Sequence, residues 1–202
     1  MFFLSVVEKY TKTTRFCLIC NYVSKIIPAL QSRCTRFRFG PLDDISVTQK
    51  LQEVAKSESL TLEDGVDQAI VSLSGGDMRK VLNILESCAL AYETISIETV
   101  YEVTGRPSPI EISSIFNWLT QEKFNVAFEK IMELKLRRSL TLDDIIKGIH
   151  QQILVTAMTD PMKIFIIERL SQIEYRLAQG SNEKAQIASL VGGFVEIRSI
   201  RA

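Results

Sequence analysis

Two prolines within three residues divide this chain. Gly105-Arg106-Pro107-Ser108-Pro109 cannot continue a helix, because each proline lacks an N–H donor and crowds the preceding turn. On both sides the apolar residues recur at helical spacing, so the break predicts a boundary between two helical regions, 41–104 and 107–202. In the first, Val66, Ile70, Val71 and Leu73 share one stripe, and Val81, Leu82, Leu85, Cys88 and Ala89 another. Thr61-Leu62-Glu63-Asp64 has the form of a capping box before the first of these. In the second region the stripes are Phe124, Phe128, Ile131 and Met132, then Ile145, Ile146, Ile149 and Ile153, then Ile166, Leu170, Ile173 and Leu177. Thr141-Leu142-Asp143-Asp144 is a further capping candidate, and Gly180-Ser181 separates the last two helices. Short connections and one-sided stripes predict an antiparallel bundle of about five helices.

Residues 1–40 read differently. Arg15-Phe16-Cys17-Leu18-Ile19-Cys20 is a continuous apolar run of the kind found in parallel strands covered on both faces, which predicts a strand over 14–20. A helix precedes it, and Thr35-Arg36-Phe37-Arg38-Phe39 alternates as a second strand. The expected fold is therefore mainly α with a small α/β remnant. With 46% hydrophobic residues the chain can bury a core, and 24 basic against 24 acidic side chains exclude a general affinity for polyanions. The charge is uneven: residues 1–40 carry seven bases and one acid, Glu8, a local net charge of +6. Residues 41–65 carry two bases and six acids, a net −4. A basic end suits phosphate.

Four cysteines in 202 residues make no disulfide framework, which fits a reducing compartment. Met1 to Val7 is apolar but lacks a basic leader and a cleavage site, and is read as part of a helix. Residues three apart on a strand face opposite sides, so Cys17 and Cys20 are expected in a core and not on a shared metal. His150, the only histidine, has no nucleophile or second histidine at useful spacing and is assigned no chemistry.

Several motifs together resemble one family. Asn21 follows the first strand, Lys25 to Phe39 contains Ser32-Arg33-Cys34, and Gly75-Gly76-Asp77-Met78-Arg79-Lys80 opens a helix. With Ile173-Glu174-Tyr175-Arg176-Leu177 near the end, these are similar to the small subunits of replication factor C, the eukaryotic sliding-clamp loader, an AAA+ ATPase. The resemblance covers nearly the whole chain. It implies that 1–40 is the C-terminal part of an AAA+ core, 41–104 a helical lid and 107–202 a collar through which five subunits form a ring. No G-x-x-x-x-G-K-[ST] run and no acid-ended strand for magnesium occurs here, and in the family both lie upstream. The chain is thus expected to be the C-terminal portion of a longer subunit and not an autonomous ATPase.

The same resemblance implies roles. Arg33 is the arginine finger that enters a neighbouring subunit's ATP site, and Asn21 is sensor 1, which orients the γ-phosphate or the attacking water. Arg79 is sensor 2, in contact with the subunit's own nucleotide, and Ser32, Cys34, Gly76 and Asp77 support these motifs. Each has a plainer reading: a turn-capping Asn, a solvated or paired Arg33, and an Arg79 bonded along its helix. ATP and magnesium are the implied ligands of the assembled complex. The implied partners are the other subunits of a heteropentamer, the sliding clamp and primer-template DNA, with no membrane, in the nucleus. Arg36 and Arg38 between Phe37 and Phe39 fit either a single-strand binder or an edge strand with a charged outer face, the latter preferred. Lys9, Lys12 and Lys25 are candidates for backbone phosphates, with no individual DNA contact assigned. The rival reading is a non-catalytic scaffold that enters or competes for the ring without a nucleotide site. A generic helical repeat is disfavoured by the lack of a fixed period.

Overall fold

A computed structural model describes the backbone of residues 2–201 and the side chains of residues 5–198; Met1 lies outside them. The chain divides into two compact units, one up to Pro41 and one from Leu42 onward.

The first unit is sparse. Helix α1 (Phe2–Tyr10) is followed by extended chain, a 3₁₀ turn at Val23–Lys25 and the short helix α2 (Pro28–Gln31). Neither expected strand forms: residues 14–20 and 35–39 have no strand hydrogen bonding. A strand exists only by pairing, and among the described residues no partner meets either segment. Consequently Phe37 and Phe39 are 80% and 92% exposed, with no apolar inner face, and Cys17 and Cys20 are exposed instead of buried.

The second unit holds helices α3 (Asp44–Ser57), α4 (Val66–Ser74), α5 (Met78–Ala91) and α6 (Ile97–Thr104), then α7 (Pro109–Gln121), α8 (Phe124–Arg138), α9 (Leu142–Val155), α10 (Asp160–Ala178) and α11 (Glu183–Arg201). The only sheet among the described residues is a parallel pair, β1 (Thr61–Leu62) with β2 (Thr94–Ile95), in register Thr61 to Thr94 and Leu62 to Ile95. The capping box expected at Thr61–Asp64 is therefore absent. Thr61 is spent on the sheet, and Gly65 begins α4 without a side-chain cap.

Several other helix starts follow side-chain chemistry. Asp43 accepts from Ser46 N at 2.9 Å and opens α3. Ser96 with Thr99 opens α6, Ser108 with Glu111 opens α7, and Thr141 accepts from Asp144 N to open α9. At the break, α6 closes with Arg106 N–H bonded to Tyr101 O and Gly105 N–H to Glu102 O, Pro107 follows, and Pro109 is the first residue of α7.

Apolar side chains gather in two clusters. One joins α3 to α6 through Val47, Leu51, Val66, Ile70, Val81, Leu85, Cys88 and Val100. The other joins α7 to α11, with the Ile145, Ile146, Ile149 and Ile153 stripe fully inside it beside Ile166, Leu170 and Ile173. Phe116 and Phe194 meet edge to face at 6.0 Å within it. Of the stripe expected on helix α8, Ile131 is buried with Ala127 and Leu134, and Phe128 and Met132 pack against the cluster, while Phe124 is partly exposed and stacks on Phe128 at 6.1 Å. Arg138, at the end of α8, spans the break. Its Nη1 is 3.7 Å from Glu102 of α6, and its Nε is 3.0 Å from Glu111 of α7 but off-line, so that attraction is Coulombic.

Two outcomes follow from this packing. A Cβ at Gly148 would overlap Cγ1 and Cδ1 of the buried Ile112, where α7 and α9 touch. Gly148→Ala is expected to cost about 1–3 kcal/mol, largely recovered in combination with Ile112→Ala, as denaturant titration of the four proteins will show. Burial pushes the Cys88 thiol above its ordinary pKa, whereas Cys17 and Cys20 lie in solvent. A thiol reagent at neutral pH is expected to modify Cys17 and Cys20 promptly and Cys88 only on unfolding, read by mass spectrometry of digested samples.

Candidate functional site

The first unit places its candidate residues around α2. Pro28 sets the first helical turn, and Gln31 Nε2 donates back to Val23 O at 3.0 Å and Ile26 O at 2.6 Å. That side chain fixes the 3₁₀ turn against α2. Ser32 follows as the exposed C-cap, its hydroxyl donating to Ala29 O at 3.1 Å, and Cys34 is half-buried. Asn21 sits exposed at a bend just before the turn.

Arg33 leaves the end of α2 with half of its side chain in solvent. Its Nη1 donates to Ala29 O at 2.9 Å, and its Nη2 forms an ion pair with Glu8 of α1 at 2.9 Å. A guanidinium carries five N–H donors, so Nε–H, one N–H of Nη1 and one N–H of Nη2 remain uncommitted. A planar, permanently charged fork of this kind matches phosphoryl oxygens. Glu8 was not legible as a site residue, although it is the one acid among the first 40 residues.

The second unit holds the Gly75-Gly76-Asp77-Met78-Arg79 motif at the α4–α5 turn. Gly75 and Gly76 have φ of 63° and 80°, a pair of left-handed residues that side chains with a Cβ disfavour. The turn brings Asp77 to the N-cap of α5, where its carboxylate accepts from Arg79 N at 2.9 Å and Lys80 N at 3.4 Å. Two amides of the first turn are thus already engaged, and Arg79 contributes its exposed guanidinium toward an anion. Lys80 turns back to Leu73 O at 2.6 Å, closing α4.

His150 is exposed on α9. Among the described residues no group of three or more His, Cys, Asp or Glu could hold a metal ion, and no helix is long and apolar enough to cross a membrane.

Comparison with known proteins defines the class first. Residues 49–90 match the RCF1/5-like AAA+ ATPase lid domain, so the turn carrying Asp77 and Arg79 is part of an AAA+ lid. Residues 107–193 match the replication factor C C-terminal domain. The chain is 44% identical over 195 residues to replication factor C subunit 5 of Mus musculus, covering 96% of this chain and 58% of the relative. It is 46% identical over 194 residues to subunit 3 of Oryza sativa, covering 96% and 54%. An archaeal small subunit, from Methanococcus maripaludis, is 35% identical over 184 residues, covering 91% and 58%. The chain belongs to the replication factor C family, and it spans little more than half the length of these curated relatives.

The Asp77 cap carries a stability consequence. Asp77→Ala is expected to cost about 1 kcal/mol and to speed hydrogen exchange at the Arg79 and Lys80 amides, while Asp77→Asn keeps both near wild type.

Proposed function

We propose that this chain works as a subunit of an ATP-dependent loader that places the sliding clamp on primer-template DNA during replication and repair in the nucleus. In this reading 1–40 closes an AAA+ core, 41–104 is the lid, and 107–202 is the collar that joins four other replication factor C subunits. The observation that supports it most is the state of Arg33: half exposed, fixed at one edge and with donors to spare.

Hydrolysis of the terminal phosphoryl group breaks the bond to its bridging oxygen as water attacks, and negative charge shifts toward that oxygen and the phosphoryl oxygens. Arg33 meets that charge from across a subunit boundary and needs no P-loop in its own chain. The site residues fit a nucleotide's phosphates through guanidinium donors, and magnesium would come with a nucleotide held by other residues. Asn21, exposed beside the turn, orients water or phosphate through its amide, and Arg79 reads bound nucleotide into the lid. Ser32 and Cys34 frame Arg33, and Gly76 with Asp77 frames Arg79.

In the complex reconstituted with the native chain, Arg33→Ala is expected to lower DNA-stimulated hydrolysis at the site it enters by about 10³ to 10⁵, with assembly intact. Arg33→Lys should restore little, because a point charge lacks the fork. Unchanged hydrolysis in an intact ring would overturn the finger role and support the scaffold reading.

A further inference from the structure

We propose that Glu8 is a positioning residue for Arg33, holding the guanidinium in the orientation in which it meets a phosphoryl group. The inference rests on the finger reading of Arg33. A guanidinium tethered at one nitrogen still swings about its side-chain torsions. Here two nitrogens are held by two separate elements: Nη1 by the Ala29 carbonyl of α2, and Nη2 by the Glu8 carboxylate of α1, each at 2.9 Å. With the plane fixed by these two contacts, Nε–H and one N–H on each of Nη1 and Nη2 remain for a ligand, and less side-chain freedom is lost when it arrives.

Three observations favour positioning over a structural brace. Both side chains of the pair are 48% exposed, and an ion pair in water stabilises a fold very little. Glu8 is the sole acid among residues 1–40, against seven bases, yet it sits on Arg33. The contact is also made across a gap of 25 residues in the chain, which ties finger orientation to the placement of α1.

The test uses the native chain in the reconstituted ring, with Glu8→Ala, Glu8→Gln, Arg33→Ala and the double alanine variant. Glu8→Ala is expected to lower kcat about 10- to 100-fold, the scale of a misplaced catalytic group, with KM and assembly unchanged. Glu8→Gln, which keeps an acceptor oxygen, should recover most of the rate. The double variant should lose no more than Arg33→Ala alone, since both act through one group. A Glu8→Ala ring as active as wild type, or more active, while Arg33→Ala is impaired would overturn the positioning role and leave the finger standing. A fully active Arg33→Ala ring would instead remove the finger reading and this inference with it.

Discussion

Burial of one-sided helices governs everything from Leu42 to the end of the chain. Helices of 8 to 19 residues are marginal in water, and here each presents a narrow apolar stripe that becomes stable only against its neighbours. Two such sets form, one around Leu51, Ile70 and Leu85 and one around Ile145, Ile149 and Ile153. The Gly75–Arg79 turn is held by the first set, since α4 and α5 share the core through Val66, Ile70 and Val81. Residues 1–41 lack an equivalent, and their order is largely local: the Gln31 clamp and the first turn of α2.

What the sequence made legible follows the range of the interactions involved. Helical stripes, the Gly105–Pro109 break and the Thr141 cap depend on neighbours a few residues away, and they appear as read. Only the first residue of the α8 stripe departs: Phe124 is large enough to signal a core yet stacks on Phe128 at its edge. Thr61–Asp64 failed for the opposite reason: its pattern was local, but a partner 33 residues on, Thr94, claimed it for a sheet. The strands at 14–20 and 35–39 were inferred from apolar content, which states a preference for burial without supplying a partner. The cysteines Cys17 and Cys20 went wrong with the strand that was to carry them.

The site was legible in its motifs and not in its wiring. Arg33 and Arg79 stand out through their surrounding residues, but nothing in the order of residues tells that Asp77 fills the α5 amides or that Glu8 reaches Arg33. Both are carboxylates that answer a positive group, one a helix end and the other a guanidinium. They differ in consequence. Asp77 engages two amides of the α5 first turn, whereas Glu8 leaves donors of Arg33 available and gives them a direction.

The placement of Arg138 has a mechanical meaning. A proline-bearing junction alone would behave as a loose joint, and a twist of α3–α6 would die out in it. One side chain that grips Glu102 before the joint and Glu111 after it turns the joint into a lever: α6 and α7 must move together or the arginine must let go of one acid. Glu111 also accepts the Ser108 N–H at the start of α7, so one carboxylate serves both the helix terminus and the arginine. Any change in the angle between α6 and α7 would therefore cost the arginine one of its two acidic contacts.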